Sequence, residues 1–362
     1  AQYCVEEINR HPHSLVVAAH TRNPERLAAF CASFSIERSC ATIDALLADP
    51  TVDAVYIALP TKFHAPVAMQ ALAAGKHVLL EKPLAMNRAE AEDLARVARQ
   101  SGRVFMQGMN QRFDKDHQQI RALVKQGVLG DIYHAKGVWL RRSGIPALGT
   151  WFGSKAMAGG GCLYDIGVHL LDLCLYTLDN FEPVSVSGAT YTKFGNRGLG
   201  EGDWGASERE ELVFDVDDFA SAFIRLANGA TVSLDVAWAC HQAEEQQHNV
   251  TLYGTEGGAT LRPAKLFHNQ SKQEDANLNA SLIDNASQAI EFPHCSRFHH
   301  FINHILGKES LCITLEQVLV VQKILDGIVE SSRTGREVYL QPSHNFINKK
   351  HKSEESERVY LC

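Results

Sequence analysis

Hydrophobic positions in the first third of the chain come in short blocks. Ser14–Ala19 (SLVVAA), Ala54–Leu59 (AVYIAL), His77–Leu80 and Val104–Gln107 are nearly continuous apolar runs. That is the pattern of strands covered on both faces. Helix signals fill the gaps. Asn23-Pro24-Glu25 supplies an N-cap, a proline at the first helical position and an acid in the first turn, which predicts a helix to about Phe34. Thr42–Ala48 is a second helix closed by Asp49-Pro50, and Ala65–Ala74 a third stopped by Gly75. Asn87 with Glu90 starts a fourth, ending near Gly102. Strand and helix alternating at this spacing predict a parallel α/β sheet with right-handed crossovers.

From Asp116 the pattern changes. A helix, His117–Gln126, leads into longer β-rich stretches at Ile132–Arg142, Val184–Phe194, Phe219–Leu226, Thr231–Ala239 and Asn249–Tyr253. Asn228-Gly229 between two of them is a two-residue hairpin signal, so this sheet is expected to be antiparallel. A helical segment, Leu163–Leu178, interrupts the strands. Helices near Arg297–Leu306 and Leu315–Ser332 and a strand at Glu337–Leu340 follow. Gln341–Cys362 is polar and rich in Lys, Ser and Glu, and reads as a disordered tail. The chain therefore divides into an α/β unit at 1–115, an α+β unit at 116–340 and a tail at 341–362.

Composition narrows the partners. At 362 residues the chain has room for about two domains. Its 35 Lys and Arg against 42 Asp and Glu leave a net charge of −7, which argues against a nucleic-acid partner. No run approaches the ~20 apolar residues of a membrane span, and the first ten residues carry no signal-peptide pattern. Nine scattered cysteines, never spaced CxxC, fit free thiols in a reducing, cytoplasmic setting.

Four stretches occur together: Asp53–Ala85 (DAVYIALPTKFHAPVAMQALAAGKHVLLEKPLA), Asn110–Phe113 (NQRF), Gly127–Ile132 (GVLGDI) and Ala158–Leu173 (AGGGCLYDIGVHLLDL). By these the chain resembles the glucose–fructose oxidoreductase / inositol dehydrogenase / MocA family of NAD(P)-dependent oxidoreductases, over about residues 10–340. The resemblance implies a Rossmann-type parallel sheet followed by a domain on an open antiparallel sheet, as the periodicity also predicts.

The candidate chemistry sits on those motifs. Lys82 of Glu81-Lys82-Pro83 follows a buried strand, so it should emerge at the carboxyl edge of the parallel sheet, where ligands of open α/β sheets bind. There it can hold a substrate oxygen. Asp165 and His169 are four residues apart, on one face of a helix, and an imidazole beside a carboxylate suits a general base. The resemblance assigns Lys82, Asp165 and His169 to substrate binding and proton transfer, with Asp165 orienting substrate or imidazole. It also places Pro60, Thr61, His64, Glu81 and Lys82 along the cofactor, and Gln111 and Arg112 near the nicotinamide. Read alone, Thr61 and His64 are helix-capping residues, and Asp165 with His169 is a surface pair.

After the second strand an acid would select NAD, but this chain has Thr21-Arg22, which suits the 2′-phosphate of NADP. The expectation is NADP over NAD. The His-rich segment Pro293–His304 lacks an HExxH pattern and reads as a helix, not a metal site. Trp139, Trp151 and Trp238 read as core or interface, with a sugar-cleft lining as the alternative.

No G-x-G-x-x-G precedes Ser14, and residues 1–11 read as the tail of the helix that follows such a loop. The resemblance thus starts about 20–25 residues late, with the first strand and glycine loop missing. That leaves Ser14–Ala19 and Ala54–Leu59 without a common neighbour, and a chain that is N-terminally incomplete is the expected reason. The resemblance implies a homodimer or homotetramer acting on a sugar, sugar derivative or cyclitol by hydride transfer at a carbinol carbon. The alternatives are a glycosidase-like enzyme using transient oxidation, and a non-catalytic member unable to hold dinucleotide.

Overall fold

The computed structural model describes residues 2–203, 207, 213–268 and 290–340. The expected tail, 341–362, lies outside them. The first part comprises α1 (Gln2–Arg10), β1 (Ala18–Ala19), α2 (Pro24–Phe34), β2 (Arg38–Ser39), α3 (Ile43–Ala48), β3 (Ala54–Ile57), α4 (His64–Ala73), β4 (His77–Leu80), α5 (Arg88–Ser101) and β5 (Phe105–Gln107). The capping residues act as their types require: Asn23 accepts from the Arg26 N–H, and Asn87 from the Glu90 N–H.

The parallel strands form two sheets. β1 pairs with β2, and β3, β4 and β5 pair in that order, all in parallel. Among the described residues no strand joins β1 to β3. Of the apolar run Ser14–Ala19 only Ala18 and Ala19 enter a ladder, because β2 offers a partner on one side alone. Helix α1 lies across the split. Val5 packs with Leu27, Cys31 and Ile36, while Cys4 and Ile8 lie against the main core.

The second part runs α6 (Lys115–Lys125), β6 (Ile132–Arg141), α7 (Lys155–Ala158), α8 (Val168–Leu178), β7 (Pro183–Tyr191), β8 (Phe219–Leu226), β9 (Thr231–Ala237), β10 (Gln246–Gly254), β11 (Gly258–Leu261), β12 (Ala264–Phe267), α9 (Arg297–Ile305), α10 (Leu315–Thr334) and β13 (Val338–Tyr339). The sheet order is β12-β11-β10-β6-β9-β8-β7-β13. Its neighbours are antiparallel except β6 and β9, which run parallel in register from His134↔Thr231 to Leu140↔Ala237. The sheet is therefore mostly antiparallel, as expected, with one parallel pair that the sequence did not foretell. The reason is topological: α8, β7 and β8 intervene between β6 and β9 and return the chain in the same sense.

One face of this sheet carries the core. On β8, Ala220, Ala222, Ile224 and Leu226 are buried and the intervening residues are not. Gly137 of β6 lets α8 approach: a Cβ there would sit 3.2 Å from Cys174 Sγ. Lys155–Leu178 has the length and apolarity of a membrane span, contrary to the reading that no run approaches one. In the fold 83% of its apolar window is buried inside the protein, so its hydrophobicity is that of a core helix.

Candidate active site

Strand β4 ends at Leu80, and Lys82 leaves its carboxyl edge two residues later. Its Nζ donates to Asp165 Oδ1 at 2.6 Å and to the Asp165 carbonyl oxygen at 2.9 Å. Asp165 lies in a π-helical turn, Leu163–Gly167, that leads into α8. Its other oxygen, Oδ2, accepts from Trp238 Nε1 at 2.8 Å. Burial pushes the carboxyl pKa up. The Lys82 charge and the two donors outweigh that and hold it below the usual range, so Asp165 is a carboxylate.

Both Asp165 oxygens are thus committed, and no hydrogen bond joins Asp165 to His169. The expectation that Asp165 orients the imidazole is corrected: it is the partner of Lys82 and Trp238. His169 remains close by. Its Nδ1 is buried without a partner, which leaves Nε2 as the nitrogen with access. Burial, reinforced by the Lys82 charge, holds its pKa well below the ordinary value. The ring is neutral near pH 7 and can accept a proton.

The turn that presents Asp165 is built by close backbone approach. A Cβ on Gly161 would lie 1.8 Å from the Asp217 carbonyl oxygen, so only glycine fits. The Asp217 carboxylate accepts from the Gly161 N–H at 2.8 Å and the Leu163 N–H at 2.8 Å. Its carbonyl accepts from Cys162 N at 2.9 Å. Asp217 carried no sequence signal, because its role exists only after β8 is placed beside the turn.

Several residues expected along the cofactor have other tasks. Glu81 Oε1 accepts from Tyr56 Oη and pairs with Arg297 at 2.6 Å, and Oε2 accepts from the Lys82 N–H at 3.3 Å. Arg297, on α9, also donates to the Gly108 carbonyl at 3.0 Å, tying the second domain to the edge of the parallel sheet. His64 is buried, with Nδ1 2.7 Å from Pro83 O and Nε2 2.7 Å from Leu59 O. It fastens the loop after β3 to the Lys82 loop and has no nitrogen left for a cofactor. Arg112 is fully buried and forms a two-point pair with Asp172 at 2.5 and 2.8 Å. Its remaining amino group donates to Cys312 O and Gln317 Oε1 at 2.7 Å each. It clamps α8 to α10 and does not face a nicotinamide.

Thr61 is buried in the single 3₁₀ turn that follows Pro60. Gln111 is buried with Oε1 unpartnered. Thr21 and Arg22 are exposed at the end of β1, the Arg22 guanidinium 6.0 Å from the Phe63 ring. Of the tryptophans, Trp238 is core and holds Asp165, Trp151 stacks on Phe152, and Trp139 lies half-buried beside His169.

The His-rich helix brings His294, His300 and Glu309 within metal-ligand range of one another, their donor atoms within 4.8 Å. The Ser296 N–H donates to His294 Nδ1 and the Cys312 N–H to His300 Nε2. The ring nitrogens that face Glu309 therefore carry the protons and donate to its carboxylate. The cluster is a closed hydrogen-bond network, with His299 bonding α1 through Glu7 O.

A lysine–carboxylate pair at the carboxyl edge of a parallel sheet, with a neutral histidine beside it, defines the reacting end of a dinucleotide-dependent oxidoreductase. The chain fits that end: Pro60, Thr61 and Lys82 share the edge, and His169 stands beside them with Nδ1 buried and Nε2 left for a ligand. A glycine cradle for the pyrophosphate is not part of this sequence.

The chain belongs to the GFO/IDH/MocA family of oxidoreductases. The family's NAD-binding Rossmann-fold model matches residues 1–109, and its C-terminal domain model matches residues 117–260. The chain is 32% identical over 290 residues to D-glucoside 3-dehydrogenase of Escherichia coli (strain K12), covering 80% of this chain and 79% of that protein. It is 31% identical over 245 residues to levoglucosan dehydrogenase of Pseudarthrobacter phenanthrenivorans, covering 65% and 62%. Among solved structures, GenD2 from gentamicin A biosynthesis in complex with NAD is 26% identical, with TM-score 0.72 over 93% of this chain and 92% of that one.

Proposed function

We propose that this protein is an NAD(P)-dependent dehydrogenase or reductase acting on a secondary hydroxyl of a sugar, sugar derivative or cyclitol. The observation that carries the reading is the Lys82–Asp165 pair at 2.6 Å with neutral His169 beside it. An ammonium has three donors, and Asp165 takes two of them. The third is free for the substrate oxygen, where it stabilises negative charge as the proton leaves. His169 Nε2 accepts that proton in oxidation and returns it in reduction. Asp165, held by Trp238, fixes the lysine. The dinucleotide, when bound, supplies the hydride acceptor or donor. The similarity to glucoside and levoglucosan dehydrogenases supports a sugar as substrate.

Thr21 and Arg22 support the 2′-phosphate form of the cofactor, as two exposed donors where an acid would select NAD. At least tenfold tighter binding of NAD than of NADP would overturn this. A homodimer or homotetramer belongs to the proposal, built across the open face of the eight-stranded sheet, where Tyr191, Phe223 and Tyr253 are exposed. A monomer in sedimentation analysis contradicts it. The eight described cysteines are free, which supports a reducing compartment.

The central test is dinucleotide-linked turnover of methyl glucosides and cyclitols by the wild type, Lys82→Met and His169→Asn. Each substitution should lower kcat by about 10²–10⁴-fold. Turnover undiminished in Lys82→Met sinks the reading.

A further inference from the structure

We propose that the substrate of this site carries a carboxylate, and that Arg141 binds it; the inference rests on the sugar-oxidoreductase reading above. Residues 135, 137, 139 and 141 of β6 share the face that meets α8, since Gly137 lies against Leu170 and Cys174. Trp139 and Arg141 extend that face beyond the core to the edge of the site. Trp139 pairs in register with His248 of β10, and their rings stack at 3.8 Å and 10°. The Trp139 ring lies 6.4 Å from that of His169. The Arg141 guanidinium sits 4.9 Å from the Trp139 ring centroid.

This cluster is rich in polar groups without partners. Trp139 Nε1, His248 Nε2 and His169 Nδ1 are all buried and unbonded. Arg141 has one long hydrogen bond, to Gly144 O at 3.5 Å, and no ion pair among the described residues. Buried polar groups are almost always bonded, so three unbonded nitrogens beside an unpaired guanidinium mark a place for a ligand rich in oxygen.

Charge selects among such ligands. Lys82 is balanced by Asp165, Arg297 by Glu81, and Arg262 near His248 by Asp114. His169 and His248 are neutral, burial having pushed His248 down to about 3. Arg141 feels the same Asp165 carboxylate that Lys82 bonds, so two cations share one negative charge, and arginine does not deprotonate in proteins. A neutral sugar satisfies the nitrogens but leaves one positive charge in excess. One carboxylate matches both the charge and the planar fork of the guanidinium.

The test compares methyl β-D-glucopyranoside with methyl β-D-glucopyranosiduronate, which differ in a hydroxymethyl against a carboxylate. In the wild type kcat/KM should favour the uronate at least tenfold. The preference should fall at least tenfold in Arg141→Gln and lie between the two in Arg141→Lys, which keeps charge without the fork. Equal rates in the wild type, or a preference untouched by Arg141→Gln, overturn the proposal. If neither glycoside is turned over, the reading of the site as acting on glycosides is what has failed, and calorimetry decides this one. D-glucuronate should bind wild type at least tenfold tighter than D-glucose and lose that advantage in Arg141→Gln. Absence of that advantage, or tighter binding of glucose 6-phosphate than of glucuronate, overturns a carboxylate ligand.

Discussion

The indole N–H of Trp238 donates to Asp165 Oδ2 at 2.8 Å, on the oxygen that Lys82 leaves free. Indole is a donor that cannot accept, so this contact favours the ionised carboxylate alone. Trp238→Phe keeps most of the volume and removes the donor. The Asp165 pKa should then rise, and the loss of a hydrogen bond to a buried charge should cost about 1.5–3 kcal/mol. The expected readout is an acid limb of the kcat/KM profile displaced upward, with KM changed less than kcat. An unchanged profile removes Trp238 from the positioning of Asp165.

His169 is the second group whose charge state the fold sets. Its folded pKa lies well below its unfolded value, because burial and the Lys82 charge oppose imidazolium. Protonation therefore favours the unfolded chain. The stability this group contributes is whole above about pH 6.5 and is lost as pH falls below it toward the folded pKa. His169→Asn should accordingly flatten the decline in urea midpoint between pH 7 and 5. The wild-type rate should show no acid limb at 6.5; a limb there would mean that the imidazole titrates as it does in water.

Arg112 was expected near the nicotinamide and is instead sealed against Asp172, with neither side chain open to solvent. Asp172→Asn leaves a guanidinium buried beside a neutral amide. Breaking a buried pair from one side costs about 3–5 kcal/mol, whereas replacing both partners with apolar groups costs far less. Urea denaturation of Asp172→Asn against Arg112→Met/Asp172→Leu checks this. Equal losses in the two proteins would mean the pair is less isolated from water than its geometry says.

What could be read from the chain depended on range. Strand β8 was legible to the residue because Phe219–Leu226 alternates between core and open face, a purely local signal. Lys82, Asp165 and His169 were legible as motif residues. The identity of Asp165's partners was not, because Trp238 lies 73 positions away and reaches it only after β9 pairs with β6 and β8. Arg297 lies in a His-rich stretch that reads as an ordinary helix, and its pairing with Glu81 needs α9 folded back on β3 and β4. The hairpin β11–β12 escaped because each strand has only four residues, too few for a period to be counted.

Gly161 gives the sharpest steric test. A methyl group there would meet the Asp217 carbonyl oxygen at 1.8 Å, and both atoms belong to backbone that cannot swing aside. To admit it, the turn must part from Asp217, whose carboxylate would lose the Gly161 and Leu163 donors. Asp217 is half-buried, and each donor lost from its carboxylate costs about 1–3 kcal/mol. The same movement displaces Asp165, whose N–H donates to the Gly161 carbonyl at 3.0 Å. Gly159→Ala is the control. That residue has φ +82° and ψ −38°, but its nearest neighbour to a Cβ is 3.3 Å away, so the cost is backbone strain of about 1–3 kcal/mol. Thermal and urea unfolding should therefore rank Gly161→Ala far below Gly159→Ala, with turnover lost in the former even where it folds. Similar midpoints for the two would show that the turn and Asp217 can separate without penalty.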